Sequence, residues 1–165
     1  MLKKRSDKVA FWGVPATSGN TVTYHRMRNF TEISMSKNAQ EYSRKYVDME
    51  FEESDVIGYA PSISIAFDAD TENAMHADII DIFDKEKIGD AAVRDIIVVD
   101  LTAPVTGNKT GYKALKRSYS VVPTDEGNDT DRYGYSATLK TKSSVSEVTA
   151  TTTDGFDTIT ITENE

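Results

Sequence analysis

The sequence predicts a mainly β fold, an antiparallel β-sandwich or open barrel with one flanking α-helix at about residues 73–88. Short runs of alternating apolar and polar residues recur along the chain and are separated by turn-forming residues. One segment has apolar residues at helical spacing. The chain has 165 residues, the size of a single domain (1–165) that buries about 69% of its surface on folding.

Residues 1–60 show less regular secondary-structure patterns than the rest of the chain. Residues 1–20 contain two glycines and a proline, and we interpret them as an extended lead-in with a turn. Residues 21–35 alternate loosely, which predicts two strands or one bent strand. Residues 36–60 carry aromatic residues and charges of both signs, a composition that suits a protruding loop or hairpin better than a core.

The segment at residues 74–87 is the predicted helix. Its apolar residues share one side of a helical wheel: Met75, Ile79, Ile80, Ile82 and Phe83. Asp78, Asp81 and Asp84 fall opposite, and we interpret them as a solvated helix face. Lys85 and Lys87 are expected in the last turn, where cations are favoured, and Gly89 is expected to end the helix.

Strands are predicted on both sides of this helix. Residues 61–67 alternate cleanly, and the continuous apolar run at 96–101 indicates a strand buried on both faces. Residues 113–122 and 133–142 are expected to pair as a long hairpin. An Asp-Gly pair between alternating runs predicts a C-terminal β-hairpin at 146–163. The total is six to nine strands.

Composition excludes several classes of function. The chain has no cysteine, so disulfides, thiolate metal sites and cysteine nucleophiles are ruled out. Its formal net charge is −8, and residues 61–100 hold ten acidic and three basic residues. A protein that grips nucleic acid needs the opposite balance. The apolar runs are too short to span a bilayer and no signal peptide is visible, so we expect a cytoplasmic protein without membrane partners.

Catalytic motifs are equally scarce. The two histidines, His25 and His76, are interpreted as structural residues, on a strand face and at the edge of the helix's apolar arc. A Ser-His-Asp set assembled in space stays open, but no nucleophile motif supports one. We therefore expect no enzyme activity, and a small β-sandwich hydrolase is the weakest alternative.

Two segments carry clustered acidic residues, which are potential calcium ligands. Asp68, Asp70 and Glu72 are spaced like the start of an EF-hand loop, but Asn73 and Ile79 occupy the positions that require glycine and glutamate. Asp125, Asp129 and Asp131 also lack the spacing. We interpret both segments as solvated turns and predict no cofactor and no metal.

Residues 36–60 are the candidate functional segment. One interpretation is a polar hairpin of the sandwich itself; the other is an arm that docks on another subunit, because aromatic and arginine residues are enriched in interfaces. The contact candidates are Tyr42, Arg44, Lys45, Tyr46, Asp48, Glu50, Phe51, Glu52, Glu53 and Tyr59.

The chain resembles the tail tube (major tail) proteins of bacteriophages, and is most similar to those of tailed phages of Gram-positive bacteria. The resemblance covers about residues 20–122. It rests on Tyr42-x-x-Lys45-Tyr46-Val47-Asp48, on Asp55-Val56-Ile57-Gly58-Tyr59-Ala60-Pro61-Ser62-Ile63-Ser64-Ile65-Ala66-Phe67-Asp68, on the acidic amphipathic helix, and on Gly89-Asp90-Ala91 and Ile97-Val98-Val99-Asp100.

The resemblance implies a structural virion protein assembled in the host bacterial cytoplasm. Members form hexameric rings that stack into the tube through which DNA is ejected, and an arm, here residues 36–60, reaches the adjoining ring. Implied partners are further copies of the chain, the tape measure protein, the tail terminator and the distal tail protein, with DNA passing transiently without sticking.

Three alternative structural roles stay open at this point. The chain could be an inner tube subunit of a contractile tail, a subunit of a tail-like bacteriocin, or an Ig-like virion decoration or adhesion module. The last would be a stable monomer or dimer, whereas a tube subunit would form rings or polymers.

Overall fold

The computed structural model describes residues 1–107 and 111–164. The strands in this part of the chain are β1 (Lys8–Pro15), β2 (Val22–Arg26), β3 (Phe30–Ser36), β4 (Ala39–Arg44), β5 (Glu53–Tyr59), β6 (Ser62–Asp68), β7 (Val93–Pro104), β8 (Tyr112–Glu126), β9 (Gly134–Thr141), β10 (Ser146–Thr151) and β11 (Thr158–Glu163). One α-helix, α1, spans Ala74–Asp84. The predicted mainly β class, antiparallel with one flanking helix, is confirmed.

Six of the strands close into a barrel. Their order is β1, β2, β11, β10, β8 and β7, and the pairing of β10 with β8 completes the ring. β8 is long enough to belong to a second unit as well: residues 112–116 pair with β10, whereas residues 119–126 pair with β9. From β9 the sheet continues through β6 to β3, its outermost strand.

Two hydrophobic cores fill the two units. The barrel interior receives side chains from all six of its strands: Val9, Phe11, Tyr24, Ile97, Val99, Ala114, Val148, Ala150 and Ile159. The second core lies between α1 and the sheet and includes Trp12, Ile65, Phe67, Ile79, Ile82, Ile96, Val121, Tyr135 and Leu139. Ile96 and Ile97 enter different cores because neighbouring strand residues point to opposite faces, which confirms the predicted two-sided burial of this strand.

β1 lies within the sheet, although residues 1–20 were expected to be an extended lead-in. It pairs with β2 on one edge and with β7 on the other. Phe11 and Trp12 are fully buried, one in each core. Because both faces of β1 are covered, its sequence lacks the alternation that marks a half-exposed strand. Residues 21–35 form two separate strands, β2 in the barrel and β3 at the outer edge.

α1 begins at a side-chain cap and ends earlier than predicted. The side-chain oxygen of Asn73 accepts a hydrogen bond from the backbone N–H of Met75 at 3.0 Å, an N-cap arrangement that stabilises helices by about 1 kcal/mol. The helix ends at Asp84 instead of about residue 88, because Glu86 takes a positive φ of 46°. Gly89 therefore does not end the helix. No helix of the described residues is long and apolar enough to cross a membrane.

The two lysines that follow the helix still interact with it. Lys85 and Lys87 contact the Asp81 carboxylate at 2.7 and 2.5 Å. Hydrogen bonds from Lys85 and then Lys87 lower the pKa of Asp81 to about 2. Asp81 and Lys87 are half-buried and Lys85 is exposed, and the three side chains together fix the end of the helix locally.

The predicted solvated face of α1 is wrong at Asp78. The Asp78 side chain is only 9% exposed and meets Trp12 and Arg94, whereas Asp84 is exposed. Residues three apart on a helix are displaced by about 60° around its axis. The acidic stripe therefore spirals, and its first member turns towards the sheet.

Candidate interaction surface

β4 and β5 form a separate two-stranded ribbon, and we call residues 36–60 the arm. The two strands pair only with one another among the described residues. Every residue of β4 and β5 is exposed except Arg44 and Gly58, which are half-buried. Six residues of a strand extend about 20 Å. The arm is thus an ordered ribbon with both faces open.

The base of the arm is fixed by Asn38. Its side-chain Nδ2 donates to the carbonyl oxygen of Ala60 at 3.0 Å and to Ser62 Oγ at 3.2 Å. Asn38 has a positive φ of 46°, a conformation that asparagine adopts more readily than most residues. These bonds tie the two strands of the arm together and to the start of β6.

Arg44 organises the distal end of the ribbon. Its Nη1 donates to Asp55 Oδ2 at 2.6 Å, and its Nη2 lies 3.7 Å from Glu53 Oε2. The guanidinium carbon lies 5.7 and 5.8 Å from the ring centres of Tyr42 and Tyr46, within cation–π range. The hydrogen bond to Asp55 is the main cause of the raised pKa of Arg44. One cation thus joins both strands and two aromatic rings.

The candidate contact residues fall into three groups. Those around the guanidinium are Tyr42, Arg44, Tyr46 and Glu53. Those on the exposed segment between the strands, which we call the arm tip (residues 45–52), are Lys45, Asp48, Glu50, Phe51 and Glu52. Tyr59 is separated from both groups, because it pairs with Ala39 at the base.

Four further residues of the arm take part, although they were not among the predicted contact candidates. Asp55 is the closest partner of Arg44, and Val47, Val56 and Ile57 are exposed large apolar residues of the arm. Glu53 and Asp55 are two apart in β5 and so share a face. The hairpin register places Glu53 opposite Arg44 and Asp55 opposite Tyr42, one diagonal step away on the same face, but the sequence alone did not supply that register.

β3 gives the main sheet an open edge. It pairs with β6 on one side, and the described residues provide no partner on the other. On the face of this sheet turned away from α1, Ser34, Ser64 and Thr138 lie side by side on β3, β6 and β9. An unpaired strand edge is a template for another strand, so this edge is a second candidate contact surface.

The two histidines lie in different surroundings: His25 lines a surface cleft, whereas His76 is buried. His76 is fully buried rather than at a boundary; its ring stacks on Phe67 at 4.2 Å and its Nδ1 accepts the backbone N–H of Asp70 at 3.2 Å. Burial is the main cause of the lowered pKa of His76. His25 lies on β2, opposite Trp12 of β1, on a strand as predicted.

The acidic segments considered as calcium sites are engaged in other contacts. Asp68 forms an ion pair with Arg132 at 3.1 Å, and Asp70 Oδ1 accepts the backbone N–H of Glu72 at 3.0 Å. Within residues 1–107 and 111–164, no three acidic or histidine side chains converge as a metal site would require.

Comparisons with solved structures relate the fold to proteins of gene transfer agent particles. No family model matches the chain, and no curated protein matches it. A chain from the tail of an empty GTA particle, refined with C6 symmetry, is 12% identical with a TM-score of 0.60, covering 88% of this chain and 98% of that one. A chain from the virion of a native gene transfer agent gives 11% identity and a TM-score of 0.58, with 88% and 98% covered.

A third solved structure is more distant. A chain of the anti-feeding prophage baseplate is 6% identical with a TM-score of 0.47, covering 89% of this chain and 96% of that one, a likeness too weak to support an argument. The first two likenesses show that this chain shares its fold with proteins of gene transfer agent particles.

Proposed function

We propose that this chain is a structural subunit that assembles with itself into the tail tube of a phage or phage-like particle. The observation that carries the proposal is the arm, an ordered ribbon that exposes large apolar side chains on both faces. These are Tyr42, Tyr46, Val47, Phe51, Val56, Ile57 and Tyr59. Ordered apolar surface of this kind is typical of protein contacts, and the tail-type fold points to further copies as the partner.

Two surfaces would serve two directions of assembly. In hexameric rings, the open edge of β3 would meet a neighbour, and six such heterologous contacts would close on themselves. The arm would then join one ring to the next and build a stacked tube. Closure of the ring leaves no strand edge free for uncontrolled growth.

The tube would conduct DNA without holding it. The chain has an overall charge of −8, and a lumen lined by its acidic residues would repel DNA phosphates instead of supplying the cations that make DNA binding tight. We propose DNA ejection as the role of the assembly, in the virion tail of a phage of Gram-positive bacteria and after assembly in the host cytoplasm. The tape measure, terminator and distal tail proteins would be its partners, and no catalysis would be involved.

The decisive experiment removes the arm and looks for tubes. Deleting residues 41–56 should leave a folded monomer, since both cores lie elsewhere, and negative-stain electron microscopy should show no tubes. A milder pair of variants, Val47→Ser with Phe51→Ser, should weaken assembly, whereas Ile88→Ser, at another exposed apolar residue, should leave it intact. Normal tubes from the deletion variant would remove the arm from the proposal.

A further inference from the structure

Two adjoining clefts lie on the outside of the barrel and reach β3. One cleft of about 430 Å³ has the apolar residues Val98, Ala103, Val105 and Leu115 in its lining. A second cleft of about 400 Å³ has Ala10, Ile33, Met35 and Val98 in its lining. Both clefts include Lys8 and Val98, so they adjoin. Leu115 and Met35 are exposed within them, which leaves apolar surface open to solvent.

The rim of these clefts is basic on a protein that is acidic overall. Its charged side chains are Lys3, Lys4, Arg5, Lys8 and Lys113, against Asp100 and Glu147. Asp100 already forms an ion pair with Lys3. Lys8 and Lys113 are exposed and form no ion pair within the described residues. We call the whole surface the basic-rimmed groove.

The arm carries the complementary set of groups. It has six acidic and three basic residues, and its tip combines the exposed apolar side chains of Val47 and Phe51 with Asp48, Glu50 and Glu52. An aromatic side chain that leaves water for a pocket removes roughly 150–250 Å² from solvent. The tip therefore offers apolar groups for the floor of the groove and carboxylates for its rim.

The arm is preorganised for binding. Arg44 holds β4, β5 and two aromatic rings in one arrangement through its bonds to Asp55 and Glu53. An ordered ribbon loses less conformational freedom on binding than a flexible loop does. Since β4 and β5 pair only with one another within residues 1–107 and 111–164, the arm does not extend its own sheet.

We infer that the arm tip of one copy packs in the basic-rimmed groove of a second copy. Phe51 and Val47 occupy the apolar floor beside Leu115 and Val98, and the acidic residues of the tip face Lys8 and Lys113. This inference rests on the proposed self-assembly and adds to it the surface that receives the arm.

Disulfide trapping between two variants tests the contact directly, because the chain has no cysteine of its own. Chains carrying Phe51→Cys are mixed with chains carrying Leu115→Cys, allowed to assemble and oxidised. We expect at least about tenfold more disulfide-linked dimer than from Phe51→Cys mixed with Glu72→Cys, an exposed position outside the groove; tenfold is the difference that ~1.4 kcal/mol of preference produces.

The outcomes separate this inference from the proposed function. Equal yields in the two mixtures, or assembled rings without the linked dimer, overturn the groove as receiver and leave self-assembly standing. A chain that stays monomeric at high concentration in analytical ultracentrifugation overturns both.

Reversing the charges gives a second, independent readout. Lys8→Glu with Lys113→Glu should weaken self-association about tenfold or more through lost charge complementarity. Adding Glu50→Lys with Glu52→Lys in the arm tip should restore it. If the first pair of substitutions weakened self-association and the second pair did not restore it, a different segment or molecule would occupy the groove and the inference would be wrong.

Discussion

The carboxylate of Asp78 on α1 and the guanidinium of Arg94 on β7 form a buried two-point contact. Arg94 Nε donates to Asp78 Oδ2 at 2.8 Å and Arg94 Nη2 donates to Oδ1 at 3.0 Å. Trp12 Nε1 adds a third hydrogen bond to Oδ2 at 2.9 Å. Arg94 Nη1 reaches the carbonyl oxygens of Ala91 and Val93. The pair joins the helix, the sheet and the short turn before β7.

Breaking this contact should destabilise the monomer strongly. We expect Asp78→Ala to lower the free energy of unfolding by about 3–5 kcal/mol, because it leaves a buried arginine without its counter-charge. Urea denaturation followed by tryptophan fluorescence would measure the change. Asp84→Ala, at an exposed position of the same helix, should change stability by no more than about 0.5 kcal/mol. Equal effects would show that the pair contributes little.

A methyl group at Gly13 should strain the barrel. A β-carbon there would lie 2.9 Å from Val22 Cγ1, 3.0 Å from Tyr24 Cε1 and 3.2 Å from the Asp95 carbonyl oxygen. We expect Gly13→Ala to lower the free energy of unfolding by about 1–3 kcal/mol, the usual cost of overpacking. Gly58→Ala is the matched control, since nothing lies within 4 Å of its β-carbon position. An equally small effect of both substitutions in thermal unfolding would contradict this.

Acid should weaken the fold partly through His76. Burial lowers the pKa of His76 from its ordinary 6.5, so the unfolded chain takes up a proton that the folded one resists. The contribution of this residue to stability is therefore complete above about pH 6.5 and is lost as the pH falls below it. Asp70, the nearby carboxylate, opposes the shift.

The variant that tests this effect is His76→Gln. Unfolding free energies measured between about pH 7.5 and pH 5.5 should depend less on pH in His76→Gln than in the parent protein, because its amide does not titrate. An unchanged slope in His76→Gln would mean that its protonation is not coupled to folding.

Loss of Arg44 should loosen the arm without unfolding the cores. In Arg44→Gln, the ion pairs to Asp55 and Glu53 and the contacts with two tyrosine rings disappear. We expect faster amide hydrogen exchange in residues 39–59 and an unchanged melting temperature. Lys45→Gln removes a neighbouring charge that forms no ion pair in the described part of the chain, and should leave exchange unaltered. If the two variants showed the same amide exchange rates in the arm, the arm would be ordered by its backbone hydrogen bonds alone and not by Arg44.

Local pattern was sufficient to predict much of the fold. The alternation of Ile63, Ile65 and Phe67 and the apolar arc of α1 each report one buried face, and both predictions are confirmed. The aromatic and charged character of residues 36–60 also drew attention to the candidate surface. These features can be predicted from the sequence because hydrophobic periodicity and local composition depend only on residues that are close together in the chain.

Other features depend on contacts between distant residues. The sequence does not predict β1 as a strand of the sheet, because both of its faces are covered and its residues therefore do not alternate between apolar and polar. The prediction that Asp78 is solvated is wrong because Arg94 and Trp12 contact it from other elements. The closure of β10 on β8 likewise joins residues about 30 to 40 positions apart in the sequence. The sequence by itself determined the strand-rich class, the helix and the unusual arm; only the tertiary structure decided which surfaces were left uncovered, because burial is a property of the whole packed chain.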